Sequence, residues 1–350
     1  VVATEAGQTV SEVTVSFNTN MPEYPRSLMT GTNGQFAMSV PAYMDYDVTA
    51  AKDNDYNNGV STLDLVLIQR HILDLQKLDS PYKLIAADAT NDRKVTAADI
   101  TEIRKLILGV TDKYANNTSW RFPISDQTMS PDSPWPFMET IRLNTLDTDK
   151  DNQNFVAVKV GDVNGSATVN VSNPMLEPRT SRKVNFAADD RFVNAGETVT
   201  VAIRGNNFTD VHGFQFTMNL NDARFGQINS GILDINANNI GVLASDKVTF
   251  SFASRSGITV SDDEVLFTLV LTADRAAKLS EMIRLTSDVT RAEAYTGQDL
   301  KVSNVSLTMR SLTPEADYPE LYQNEPNPFR GATTVSYYLP EASKVVLTVY

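Results

Sequence analysis

Asp53-Asn54-Asp55-Tyr56-Asn57-Asn58-Gly59-Val60-Ser61-Thr62-Leu63-Asp64 puts oxygen-bearing side chains at positions 1, 3, 5, 9 and 12 of a twelve-residue stretch, then runs straight into an apolar segment. A hard cation takes six to eight oxygen ligands at short range, and this spacing lets one short loop wrap it. The candidate calcium ligands are the side chains of Asp53, Asp55, Asn57, Ser61 and Asp64 and the carbonyl of Gly59. The pattern recurs with Asp88, Thr90, Asp92, Lys94 (by its carbonyl), Thr96 and Asp99; one offset of 35 separates Asp53 from Asp88 and Asp64 from Asp99. Val60 matches Val95, and Ile68, Ile72 and Leu73 match Ile103, Ile107 and Leu108. A duplicated loop-plus-helix unit binding two calcium ions is the expectation.

The 350 residues, with 41% hydrophobic content, allow two or three domains with separate cores. A net charge of -13 without a Lys/Arg cluster disfavours nucleic acid and anionic membranes and suits cations. Cysteine is absent, which excludes disulfides and thiolate chemistry. No stretch approaches the ~18 apolar residues of a membrane span. An opening at Val1 and an end at Tyr350 within a strand-like stretch fit a piece of a longer precursor.

The expected architecture is multidomain and mainly β. Residues 1–51 alternate as short strands, at Val13-Val15-Phe17, Phe36-Met38-Val40 and Tyr46–Ala50. Their order, with the Thr32-Asn33-Gly34 turn, resembles the carboxypeptidase regulatory-like β-sandwich, a non-catalytic spacer, with its first strand incomplete. In residues 52–112 the stripes Leu65, Ile68, Ile72, Leu75 and Ile100, Ile103, Ile107, Val110 can bury against each other. This pair of calcium loops and helices resembles a dockerin, a family whose role is to dock into cohesin domains. It departs from the pattern at position 6, where Asn58 and Arg93 replace a favoured glycine; Arg in a left-handed turn costs roughly 1 kcal/mol. Position 3 of the second loop is the neutral Thr90. Thr62-Leu63 and Ala97-Ala98 stand where cellulosomal dockerins often carry a Ser/Thr recognition pair, so cellulosomal specificity does not carry over.

Residues 113–166 read as an irregular extension packing on the dockerin-like unit, with Asp147–Asn152 as a solvated turn. Gly161-Asp162-Val163-Asn164-Gly165 resembles the first half of a dockerin loop without its closing acid and reads as a domain-ending turn, with a contribution to a nearby site as the alternative. Residues 167–182 are a linker. Within 183–310, strands alternate at Val199–Ile203, Phe214–Leu220, Val248–Phe252, Val265–Leu271 and Val305–Met309, with a helical interruption over Arg275–Met282. Together with Ala195-Gly196-Glu197-Thr198 and Gly213-Phe214-Gln215-Phe216, this looks like a cohesin-type jelly-roll sandwich. After a linker at 311–318, residues 319–350 carry Asn324-Glu325-Pro326-Asn327-Pro328-Phe329, similar to the start of a type IX secretion C-terminal sorting domain of Bacteroidetes, here truncated.

Catalytic motifs are missing from the sequence. The two histidines, His71 on a helix surface and His212 in a loop, lie in different domains without triad partners. The expected function is therefore non-catalytic: dockerin-to-cohesin contact in the same or a neighbouring chain, calcium-stabilised. The sorting domain implies export through the type IX translocon to the outer cell surface or the extracellular space. The alternatives are the accessory tail of an extracellular hydrolase, or a carbohydrate-binding sandwich, which would present a face of exposed aromatics.

Overall fold

A computed structural model describes residues 1–170, 183–311, 320–321, 324, 333–335, 337–339 and 343–348. The linker expected over 167–182, that over 311–318 and the sorting domain expected over 319–350 fall mostly outside these residues.

The first 170 residues build a β unit interrupted by helices. Strand β1 (Thr14–Asn18) pairs antiparallel with β2 (Arg26–Met29) and with β3 (Tyr46–Ala51). Period-two burial of Val13, Val15 and Phe17 gives the sheet one core face. The stretch Phe36–Val40 is not a strand; its apolar side chains pack half-buried against that core. Three helices follow, α1 (Thr62–Ile72), α2 (Pro81–Ala87) and α3 (Ala97–Ile107). The chain then returns to the sheet, where β4 (Thr140–Leu143) pairs with β3. Phe155–Val156 pairs in parallel with Val2–Ala3. Residues 113–166 thus complete the N-terminal β unit as well as touching the helices: Trp120, Phe122 and Ile141 join Val2, Val15 and Val48 in one core.

Each long helix starts at a capping box. Ser61 and Thr96 accept from the first-turn backbone, while Asp64 and Asp99 reach back to the cap residue's N–H. Leu65 and Ile68 of α1 pack with Ile103, Leu106 and Ile107 of α3. Ile72, Leu75 and Val110, expected in the stripes, are exposed, because α1 stops at Ile72 and α3 at Ile107. Instead α1 buries a second face, through Leu63 and Val66.

The C-terminal unit is a ten-stranded antiparallel arrangement with one parallel pairing. Its strands are β5 (Lys183–Asp190), β6 (Thr198–Asn206), β7 (Val211–Leu220), β8 (Ala223–Ser230), β9 (Ile240–Ala244), β10 (Lys247–Ile258), β11 (Val265–Ala273), β12 (Ile283–Thr286), β13 (Glu293–Thr296) and β14 (Lys301–Ser311). The hydrogen-bonded order is β8-β11-β6-β5-β14-β13-β7-β10-β9, with β12 also on β7. Helix α4 shrinks the expected 275–282 interruption to Leu279–Met282. Inward-facing Phe186, Phe214, Phe216, Phe250 and Phe267 are essentially fully buried, with Phe216 and Phe250 stacked at 4.6 Å. These phenylalanines fill the core, so they do not form the exposed aromatic face of a carbohydrate-binding sandwich.

Candidate functional site

The outward face of β7 and β10 carries small polar residues, as expected of a solvated sheet face. Yet Gln215, Thr217, Thr249 and Ser251 are all 2% exposed or less. The helices cover part of this face: α1 lies across β7 and β10.

Helix ends explain the fit. The first N–H groups and last carbonyls of a helix lack partners within it. Thr62 opens α1, and its N–H donates to Gln215 Oε1 at 2.7 Å. Its Oγ1 lies 2.7 Å from Ser251 Oγ. At the other end of the helical unit, Thr290 Oγ1 donates to the Ile107 carbonyl at 2.7 Å and Thr249 Oγ1 to the Leu108 carbonyl at 2.6 Å. Sandwich side chains therefore satisfy groups at the start of α1 and the end of α3 together. Beside them Leu63 and Val66 pack with Tyr295, Leu300 and Val302. Two glycines permit the approach: a Cβ at Gly213 would meet Val66 at 3.2 Å, and one at Gly241 would meet the Leu108 carbonyl at 2.7 Å.

Arg70 closes the edge, its Nη2 lying 3.1 Å from His212 Nδ1. Arginine only donates, so Nδ1 is the acceptor and the imidazole proton belongs on Nε2, 3.3 Å from Asp210 Oδ1. His212 is buried on β7, where the pairing register slips, rather than in a loop. Burial, then the neighbouring Arg70 charge, lowers its pKa and holds the ring neutral.

The acidic loops lie behind this contact. In the second, Asp88 Oδ1 and Oδ2 accept from the Asp92 and Arg93 N–H groups at 3.0 and 2.9 Å. Asp99 Oδ1 accepts from Thr90 N–H and Oγ1 at 2.9 and 2.8 Å, and its Oδ2 from Thr96 N–H at 2.8 Å. Asp92 Oδ1 accepts from Lys94 N–H at 3.0 Å. The loop thus wraps on itself, and Arg93 takes the left-handed conformation its position requires, φ 69°.

The first stretch is arranged otherwise. Asp53 Oδ1 accepts from Ser119 N–H at 2.8 Å and from the Tyr56 hydroxyl at 2.6 Å. Asp55 has φ 52°, and the Asn57 carbonyl accepts from Val60 N–H at 3.2 Å. Asp64, fully buried, accepts on Oδ2 from Ser61 N–H at 2.9 Å, but its Oδ1 accepts from Val163 and Asn164 N–H at 2.9 and 3.3 Å. Ser61 stays bonded to Asp64 and Gly59 lies against Ala167, while Asp53, Asp55 and Asn57 are not bonded to Asp64. Asp162 Oδ1 accepts from Gly165 and Ser166 N–H at 2.8 and 3.0 Å and Oδ2 from Ala167 N–H at 2.8 Å.

Burial, then the Asp162 charge, pushes the Asp64 carboxyl well above the ordinary range. Burial likewise raises Asp162 to about 6 and raises Asp88. Carboxylates so placed gain from a proton or a cation. Among the described residues no three His, Asp or Glu side chains are grouped to hold a metal. The oxygen set of carboxylates, hydroxyls and carbonyls suits calcium, which accepts neutral ligands.

Residues 183–310 match the family model described as "Cohesin domain" and residues 51–108 that described as "Dockerin type I domain". No curated protein matches. Solved structures with similarity include the sixth cohesin of Acetivibrio cellulolyticus scaffoldin B in complex with a mutant Cel5 dockerin (15% identity, TM-score 0.29, 37% of this chain and 100% of that one). Another is a Coh-OlpC-Doc435 complex from Clostridium thermocellum (15%, 0.28, 39% and 100%). A third is the non-cellulosomal cohesin of Archaeoglobus fulgidus (16%, 0.27, 38% and 93%). Residues 51–108 are thus a dockerin type I domain and residues 183–310 a cohesin domain, two non-catalytic interaction modules carried by one chain.

Proposed function

We propose that this chain works as a self-docked dockerin–cohesin pair: a calcium-stabilised interaction unit in which the dockerin helices occupy the binding face of the cohesin sandwich in the same chain. The observation that carries the reading is the capping of the α1 start and the α3 end by Gln215, Thr249 and Thr290 of the sandwich. Thr62 and Leu63, the pair at loop positions 10 and 11, lie inside that contact. Dockerin type I domains bind calcium, and two ions are proposed for this one. Calcium holds the loops from which both helices start and so fixes the surface that docks. Ala167 and Thr168 are packed against the first unit, so the tether is the twelve residues 171–182, which span at most roughly 40 Å when extended, and such a tether gives an effective concentration of about millimolar.

Cohesin and dockerin modules are typically extracellular or on cell surfaces. The resemblance of the Asn324–Phe329 stretch to a sorting domain supports export by the type IX route.

The test is small-angle scattering with light scattering on the chain and on its Leu63→Asp variant. A compact monomer that lengthens in the variant is expected. A wild-type dimer that falls apart in the variant would instead assign the contact to two chains. Identical profiles for the two proteins would overturn the reading.

A further inference from the structure

The dockerin match ends at residue 108, yet Asp64, which closes the first loop, bonds to a segment some hundred residues further on. The intact loop 88–99 supplies a template within the same chain. There the first-position Asp88 accepts from the N–H groups of positions 5 and 6, Asp92 and Arg93. The closing Asp99 accepts from the N–H groups of positions 3 and 9, Thr90 and Thr96. With Asp162 as position 1, every one of these bonds has a counterpart: Asp162 accepts from Ser166 and Ala167 N–H. Asp64 accepts from Asn164 N–H at 3.3 Å and from Ser61 N–H at 2.9 Å. Position 4 is left-handed in both, Asn91 at φ 57° and Gly165 at φ 74°.

The two halves are joined in space. Ser166 Oγ donates to the Gly59 carbonyl at 3.0 Å. Asn58 exchanges two bonds with Thr168, at 2.8 and 2.9 Å. Gly59, left-handed at φ 77°, sits so close to Ala167 that a Cβ would lie 2.5 Å from its backbone nitrogen. The segment 53–57, which precedes this junction, makes none of the corresponding bonds; Asp53 is tied to Ser119 and Tyr56.

The geometry points to a split first calcium site: residues 162–166 supply the first half of the loop and 59–64 the second. Its ligands are the side chains of Asp162, Asn164, Ser166, Ser61 and Asp64 and the Gly59 carbonyl. Asp53, Asp55 and Asn57 lie outside it. The inference rests on the reading that this dockerin binds calcium. The site fastens the β unit's last segment to the start of α1, the helix that docks.

Calcium titration of the full chain by calorimetry, with native mass spectrometry to count ions, tests it. Two ions are expected for the wild type. Asp162→Asn should lose one, whereas Asp53→Asn and Asp55→Asn should keep both. Asn164→Asp adds a charge without emptying a buried position, so it should tighten one site. If Asp53→Asn or Asp55→Asn loses an ion while Asp162→Asn keeps two and Asn164→Asp changes nothing, the split site is overturned. A wild type that binds no calcium would instead overturn the underlying calcium reading.

Discussion

Replacing Ser251 in the sandwich by alanine should destabilise the other half of the molecule. Ser251 Oγ and Thr62 Oγ1 lie 2.7 Å apart, and both residues are fully buried. Ser251→Ala strands the Thr62 hydroxyl, and Thr62→Val strands the serine hydroxyl while keeping the side-chain shape. Each single change costs about 1–3 kcal/mol, the desolvation of an unpaired buried hydroxyl. Removing both leaves no orphan, so the double variant should lose less than the sum, with a coupling of about 1–2 kcal/mol. The assay is urea unfolding followed by tryptophan fluorescence. Both tryptophans, Trp120 and Trp135, lie in the first 170 residues, so their transition reports the unit that carries Thr62. If the modules were separate, Ser251→Ala would leave the tryptophan transition where it was, and the two changes would add to within about 0.5 kcal/mol. That result would refute the docked arrangement.

Two further outcomes are expected. His212 is neutral when docked, and its lowered pKa means that the docked form binds fewer protons than an open form in which the ring titrates near its ordinary value of about 6.5. Docking should therefore hold at neutral pH and weaken as the pH falls through 6.5 toward the lowered value, levelling off below it. Scattering across that range should show the opening, and in His212→Asn the dependence should flatten. Chelating calcium should lower the tryptophan-detected melting temperature, since an ion at a hundred times its dissociation constant contributes about 2.7 kcal/mol. An unchanged melt in EDTA would count against calcium as a folding ligand.

Much of this was legible in the sequence because local periodicity reports burial. The alternating phenylalanines of 214–216 and 250–252 mark a sandwich core, and the duplicated loops mark two helices facing each other. The second buried face of α1 was also written there, since Leu63, Val66 and Leu67 make a second stripe at helical spacing. Gln215, Thr249 and Ser251 carried no such sign. A period-two pattern separates the core face of a strand from the other face, but it does not say whether a polar face meets water or a helix end needing partners. His212 was hidden for the same reason, its role coming from Arg70, far off in the chain. The return of β4 to the N-terminal sheet and the meeting of 162–166 with 59–64 depend on contacts across about a hundred residues, which leave no periodic trace. Only the isolated half-loop Gly161–Gly165 hinted at the latter.

The most direct measurement is hydrogen exchange at two amides. Thr62 and Ala97 are the first residues of α1 and α3, equivalent positions of the two repeats. Without docking both N–H groups face water. In the structure Thr62 is buried with its N–H on Gln215, while Ala97 is exposed. Docking should give strong protection at Thr62, little at Ala97, and loss of the difference in Leu63→Asp. Equally fast exchange at the two amides in the wild-type chain would contradict it.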